Sequence, residues 1–185
     1  MLALLCLSAL KEEATGLRPV CSRVEALRGL AAWSSMAVTS RAMAVSGGGK
    51  DYAGATIAGE DFSNGQYANK DFSGVDAAGT NFKNSKLRGA RFFKADVAGA
   101  DFSGSDLTAA SFEGANLDGT KLTGSVCEGS AFSQTLETVG DISQVDFTDA
   151  VIRQDINRRL CERSDAKGVN PTTGVSTRDS LFCPD

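Results

Sequence analysis

The chain has 185 residues and a mass of 19.2 kDa, with a formal net charge of -4, a pI near 4.9 and 42% apolar residues. This composition excludes a disordered chain, and the acidity argues against a general binder of nucleic acid or of anionic membranes. The absence of histidine removes the commonest general base and metal ligand, and the cysteine spacing contains no CxxC or Cys/His pattern of a zinc site.

The first 46 residues differ in composition from the rest of the chain. Two apolar stretches, 2–10 and 29–38, are too short to span a membrane, and arginines are spread among alanines and serines. The A-x-A pattern at Ala42–Ala44 is typical of a cleavage site. We therefore predict that residues 1–46 form a presequence that is removed in stages, so that the mature protein starts near Val45. The alternative is an N-terminal helix that stays and packs on the following domain.

The next part of the chain is a repeat of five residues. An apolar residue occupies every fifth position from Tyr52 to Phe132, seventeen in succession, and the pattern fails at Glu137 and resumes at Ile142. A small residue usually stands two positions before the apolar one, Asp or Asn one position before, and Gly two positions after. The predicted core of this segment includes Phe62, Phe72, Phe82, Phe92, Phe102, Phe112, Leu107 and Leu117.

A period of five matches neither common secondary structure. Steps of five scatter side chains around an α-helix, and an odd step alternates the faces of a β-strand. The chain must instead turn once per pentad, and Gly, Asp and Asn tolerate tight turns. Short internal repeats of this kind predict an all-β solenoid, in which each coil forms backbone hydrogen bonds with the next.

The pentads resemble those of the pentapeptide-repeat family, whose motif is A-(D/N)-L-x-x. The best matches are ANLDG at Ala115–Gly119, ADFSG at Ala100–Gly104 and SDLTA at Ser105–Ala109. The resemblance covers roughly residues 50–153 and implies a right-handed quadrilateral β-helix with four pentads per coil and about five coils. The aromatic residues recur at every tenth position, so a 20-residue coil would stack them in two columns.

A helical C-terminal cap is predicted after the repeats, because a solenoid exposes unpaired backbone at its ends. Apolar residues recur at helical spacing in residues 151–163, where Thr148 or Asp149 is a candidate N-cap. Ser176 and Asp179 have the spacing of a capping box at the start of a short last helix. The predicted domains are thus the presequence 1–46, the β-helix 47–150 and the cap 151–185.

Cysteines in the cap are candidates for a disulfide. The two cysteines of this segment are Cys161 and Cys183. The alternative to a disulfide is a pair of free thiols in a reducing compartment. Without a histidine partner, neither is expected to be a catalytic nucleophile. Cys127 occupies an inward position of the repeat and is predicted to be a small buried residue.

The C-terminal segment NPTTGVSTRDSLFC resembles the tail of the thylakoid-lumen pentapeptide-repeat proteins of plants and algae. Together with staged targeting, this resemblance implies a plastid protein of the thylakoid lumen, which is an oxidising destination that suits a disulfide.

The charges of the repeat are segregated along the chain. Five basic residues and no acidic residue lie between Asp76 and Asp96, whereas residues 96–149 contain ten acidic residues and a single lysine. The basic residues form a candidate docking band for an acidic partner, with a merely solvated surface as the alternative. We call Lys83, Lys86, Arg88, Arg91 and Lys94 the basic band.

No catalytic, metal or phosphate-binding motif is recognisable, so we expect neither an enzyme nor a cofactor. Three functions remain open at this point. The first is an accessory or scaffold subunit that docks on the lumenal side of a photosynthetic membrane complex, such as a photosystem. The second is a soluble, redox-responsive lumen factor. The third, a DNA mimic that inhibits topoisomerase, fits less well because the basic band interrupts the acidity.

Overall fold

The structure is a computed structural model and describes residues 52–184. The predicted presequence lies outside the described residues. The elements are β1 (Ser111–Phe112), β2 (Ala131–Phe132), a 3-10 helix (Gln134–Thr138), α1 (Gln154–Glu162) and α2 (Thr177–Ser180). In the described part of the chain, no helix is long and apolar enough to cross a membrane.

Residues twenty apart in sequence are paired along the repeat, except where the 3-10 helix interrupts it. Parallel bridges join Thr56 to Asp76 at one end and Ala131 to Val151 at the other, and β1 pairs with β2 in the same register. Between neighbouring coils the backbone bonds alternate in direction. The Asp76 N–H donates to the Ala55 carbonyl at 2.9 Å, and the Ile57 N–H donates to the Asp76 carbonyl at 2.7 Å. A turn follows each inward residue, so each 20-residue coil has four sides.

The residue before each inward side chain stabilises the following turn. The Oδ1 atoms of Asp61 and Asp101 each accept a hydrogen bond from the backbone N–H two residues later, both at 3.0 Å. The corner itself requires a left-handed backbone, as at Gly99 (φ 66°), but Ala109 adopts the same conformation (φ 56°) without the freedom of glycine. Most of the acidic side chains before the inward residues therefore have a structural role in forming turns.

The inward aromatic rings form two stacked columns, as the ten-residue spacing predicts. Phe72, Phe92 and Phe112 stack at centroid distances of 4.8 and 4.9 Å, with ring planes within 7° of parallel. The rings of Phe82 and Phe102 stack at 4.8 Å in the second column. Rings of different columns meet nearly at right angles, which is the favourable edge-to-face arrangement. All eight residues of the predicted core are buried.

The 3-10 helix accounts for the interruption of the repeat. Leu136 is fully buried in place of Glu137, whose charge could not be buried without a partner. The regular pairing resumes at Asp141, which pairs with Lys121, and just before it the Gly140 N–H donates to the Thr120 carbonyl at 2.8 Å. A side chain at Gly140 would place its Cβ 2.9 Å from the Gly119 carbonyl oxygen, so this close approach requires glycine.

The first C-terminal helix begins later than the sequence predicts. α1 starts at Gln154 with Arg153 as its N-cap, so the proposed caps Thr148 and Asp149 are wrong. The reason is that the last coil continues to Val151, which pairs with Ala131, and Thr148 lies in a turn of that coil.

The second C-terminal helix, α2, begins after Ser176 as expected. Ser176 makes no side-chain capping bond, so the predicted capping box does not form.

Residues 163–184 supply hydrogen-bond partners to the last coil. The Ile142 N–H donates to Asp165 Oδ2 at 3.2 Å, and the Phe147 N–H donates to Ser180 Oγ at 3.0 Å. The Nδ2 atom of Asn170 donates to the carbonyls of Ser125 and Gln144, both at 2.9 Å. In the preceding coils, the equivalent N–H groups donate to carbonyls of the next coil. After the last coil, side chains of the C-terminal segment accept these hydrogen bonds instead.

Candidate functional site

The basic band is spread over three sides of the β-helix. Lys83 follows the inward residue of one pentad, Lys86 and Arg88 flank that of the next, and Arg91 and Lys94 belong to the third. All five side chains are exposed. Because the chain turns between successive pentads, a flat partner surface cannot contact all five residues at once. The corner between Arg88 and Arg91 is where two basic sides meet.

One member of the band is already neutralised within the chain. The Lys83 ammonium lies 3.1 Å from Oδ2 of Asp101, in the adjacent coil. Partial burial disfavours the Asp101 carboxylate, but the hydrogen bonds from Ser103 and the Lys83 ammonium outweigh it and lower the pKa of Asp101. The other four basic residues form no ion pair within residues 52–184. Within the basic band, the positive charge that no ion pair neutralises therefore lies at Lys86, Arg88, Arg91 and Lys94.

Phe93 adds an aromatic ring to the basic band and was not part of the predicted site. It is 39% exposed, in an outward position where the coils on either side have Ser73 and Glu113. The Lys94 ammonium lies 5.2 Å from the centroid of its ring, within the range of a cation–π interaction. The signal in the sequence is the doublet Phe92–Phe93, since only one of two adjacent residues can point inward.

The C-terminal cysteines form a disulfide in the structure. Cys161 of α1 is bonded to Cys183, with a Cα–Cα distance of 5.5 Å. Cys127 is buried, and desolvation raises the pKa of its thiol to about 12, so the reactive thiolate is not formed near neutral pH. Within residues 52–184, no group of three or more acidic or cysteine side chains is placed to hold a metal ion.

Comparison with known proteins gives a consistent set of similarities. A family model described as Pentapeptide repeats matches residues 61–92, 71–108, 86–124 and 100–135, in eight copies. A pentapeptide-repeat protein from the thylakoid lumen of Arabidopsis thaliana has a similar structure, with 40% identity and a TM-score of 0.68. The similarity covers 72% of this chain and 92% of the Arabidopsis chain.

Two cyanobacterial structures are more distant. A pentapeptide-repeat protein from Cyanothece 51142 has 19% identity and a TM-score of 0.41, covering 54% of this chain and 55% of that one. HetL from Nostoc sp. strain PCC 7120, involved in the regulation of heterocyst differentiation, has 21% identity and a TM-score of 0.34, covering 54% and 45%. These values are too low to bear on function. No curated protein matches the chain.

Proposed function

Since the chain belongs to the pentapeptide-repeat family, we propose that it acts by binding another protein and not by catalysis. Membership implies a right-handed quadrilateral β-helix, in agreement with four turns in each 20-residue coil. The described surface consists mainly of short polar side chains that stabilise turns, and the basic band with Phe93 stands out from it. A rigid β-helix holds such side chains at constant spacing, which suits recognition by surface.

We place the protein in the thylakoid lumen of the chloroplast. The observation that carries this proposal is the 40% identity to the Arabidopsis lumen protein over 92% of its length. A presequence over residues 1–46, removed on import, is part of the same proposal. The disulfide between Cys161 and Cys183 is compatible with an oxidising compartment.

We further propose that the protein is an accessory or scaffold subunit that docks on the lumenal side of a photosynthetic membrane complex, such as a photosystem. The docking surface is the corner formed by Arg88 and Arg91 together with Phe93. Its charge calls for an acidic partner surface, and the ring supplies apolar contact area at the same place. Arginine and aromatic residues are the types that most often dominate the energy of an interface.

In this proposal residues 151–185 form the cap of the domain 47–150. Buried Ile156 and Leu160 of α1 extend the hydrophobic core beyond the last coil. Asp165 and Ser180 accept hydrogen bonds from backbone N–H groups of that coil. Such a cap prevents the exposed end of a β-helix from pairing with another chain.

The experiment that tests docking is a native gradient of gently solubilised thylakoids from plants that express tagged variants at equal abundance. The test variant is Arg88→Gln/Arg91→Gln, and the matched control is Lys121→Gln/Lys167→Gln, which removes the same charge from exposed positions outside the band. We expect the wild type and the control to co-migrate with a membrane complex and the test variant to migrate as a free small protein. Migration of the wild type as a free protein, or an unaltered test variant, would contradict docking through this corner.

The disulfide favours a second candidate function, a soluble lumen factor that responds to redox conditions. Thiol labelling of the protein in isolated thylakoids separates the two functions. A disulfide that opens and closes with illumination, in a protein that migrates freely, would support the second candidate. A disulfide that stays closed under all conditions would leave it a structural bond.

A further inference from the structure

A groove lies between α1 and the last residues of the chain, at a distance in sequence from the basic band. Its volume is about 380 Å3. Asn157, Arg158 and Cys161 line it from α1, and Arg178 and Phe182 line it from the C-terminal segment. Residues at positions i and i+4 of a helix lie on one face, so Asn157 and Cys161 share the face of α1 that the groove follows. The groove is not part of the proposed docking corner.

Phe182 is presented to solvent at the side of this groove. Its side chain is 83% exposed, the largest exposure of any large apolar residue in the described part of the chain. Its backbone is left-handed (φ 54°), a conformation that costs a non-glycine residue about 1–2 kcal/mol. Buried Leu181 on one side and the disulfide of Cys183 on the other hold the backbone in place. The fold thus maintains an exposed aromatic ring where Gly or Asn would form the same turn at lower cost.

The charge of the groove is positive. Arg158 is exposed and forms no ion pair within residues 52–184. The Arg178 guanidinium donates to the carbonyls of Cys161 at 3.0 Å and of Pro184 at 2.7 Å, which are neutral acceptors. Among residues 52–184, Glu162 is the one carboxylate that lines the groove, against two guanidinium groups. The groove is therefore complementary to an acidic ligand.

The shape of the groove indicates what kind of acidic ligand would fit. The Nδ2 atom of Asn157 donates to the Leu181 carbonyl at 2.9 Å and so joins α1 to the C-terminal segment, and its Oδ1 is enclosed by the protein. The space between the two segments is a concavity of about 380 Å3 with the exposed Phe182 ring at its side. Such a concavity suits a side chain of an extended peptide, because peptides are recognised through pockets for individual side chains.

We propose that this groove binds an extended peptide segment of a partner protein, with an apolar side chain against Phe182 and an acidic side chain beside Arg158. Phe182 is the apolar anchor and Arg158 selects for acidity. This site is a second contact surface, and it does not depend on the cellular location proposed above.

The test is a selection of displayed random 12-residue peptides against the full chain with its disulfide intact, followed by affinity measurement for the enriched peptides. We expect peptides that combine acidic and apolar residues. Phe182→Asn should weaken their binding about tenfold or more, since Asn keeps the left-handed backbone and removes the ring. Arg158→Gln should weaken binding several-fold at low salt and less at high salt.

Two controls match these variants. Val169→Asn removes another exposed apolar side chain (54% exposed), and Lys167→Gln removes another exposed charge, both away from the groove. Both should leave affinity within about twofold. Enrichment of no peptide, enrichment of peptides without acidic residues, or binding insensitive to Phe182→Asn would overturn the proposal.

Sedimentation with vesicles tests whether the groove binds a membrane surface instead of a peptide. Wild-type protein is mixed with vesicles of phosphatidylcholine containing about 30% phosphatidylglycerol, since a ring next to two arginines also suits an anionic membrane. We expect no sedimentation with these vesicles. Sedimentation that Phe182→Asn abolishes would reassign the groove to a membrane surface and overturn the peptide proposal.

Discussion

Replacing Phe102 with alanine should destabilise the β-helix more than any truncation near its ends. The Phe102 ring is fully buried, stacks on Phe82 at 4.8 Å and meets Phe92 and Phe112 edge to face at 5.5 and 5.8 Å. Truncation removes apolar area, leaves a cavity between two coils and deletes three ring contacts at once. Phe→Ala substitutions in cores cost about 3–5 kcal/mol, and each ring pair adds about 0.5–1.5 kcal/mol, so we expect a loss near the upper end of that range.

The loss of stability expected for Phe102→Ala is compared with that for Phe132→Ala, near the end of the repeat. It is 7% exposed, stacks on Phe112 at 5.3 Å and has one edge-to-face partner, Phe147, at 6.0 Å. It also lies beside the 3-10 helix, where the regular pairing is interrupted. With one ring contact fewer and longer distances, Phe132→Ala should cost about 3 kcal/mol.

Guanidinium unfolding followed by circular dichroism measures both losses. With a slope of about 4 kcal/mol per molar, the Phe102→Ala midpoint should fall by about 1 M. Phe102→Leu keeps the variant folded if alanine does not, because Leu122 already occupies the same column one coil later, and it should cost less than half as much. Equal losses for Phe102→Ala and Phe132→Ala, or a loss below about 2 kcal/mol at Phe102, would refute the argument that the stacked rings dominate the core.

Three further changes test the C-terminal segment and the corners. The double variant Cys161→Ser/Cys183→Ser should lower the unfolding free energy by about 3 kcal/mol, because it opens a disulfide loop of sequence separation 22. In the same denaturation assay, reducing agent should have no further effect on this variant. Ala109→Gly should raise the melting temperature, because glycine relieves a left-handed alanine for a net gain of about 0.5–1 kcal/mol; an unchanged or lower value contradicts this. The Arg163 guanidinium holds the pKa of Asp165 below its ordinary value of 3.8. The Asp165 carboxylate therefore contributes fully to the unfolding free energy above pH 3.8, and this contribution is lost as the pH falls through the lower pKa of the folded state. Urea midpoints between pH 5 and pH 2 should therefore fall less steeply in Asp165→Asn than in the wild type.

The five-residue period determined the β-helix, its inward residues and the two columns of rings. This was readable from the sequence because each pentad is a local unit with its own turn, so one geometry repeats wherever the pattern does. The candidate disulfide was likewise apparent, since both cysteines lie in one short segment after the repeats.

The contacts of outward side chains in different coils were decided by the tertiary structure alone. Lys83 is neutralised by Asp101, eighteen residues away in sequence, and the basic band turns around corners that a linear sequence does not display. Leu136 replaced Glu137 in the core because burying an unpaired carboxylate costs more than winding five residues into a 3-10 helix.

Contacts between residues distant in sequence also decide where α1 starts and why Phe182 is exposed. Apolar spacing predicted a helix from residue 151, but pairing of Val151 with Ala131 on the preceding coil prevailed over local helical preference. In the sequence Phe182 looks like one more apolar residue of a last helix. Its outward direction follows from the packing of Leu181 and from the bond of Cys183 to α1, which together hold its backbone in the left-handed region. Local periodicity thus encoded the coil, and contacts between distant residues decided which side chains remain on the surface for a partner.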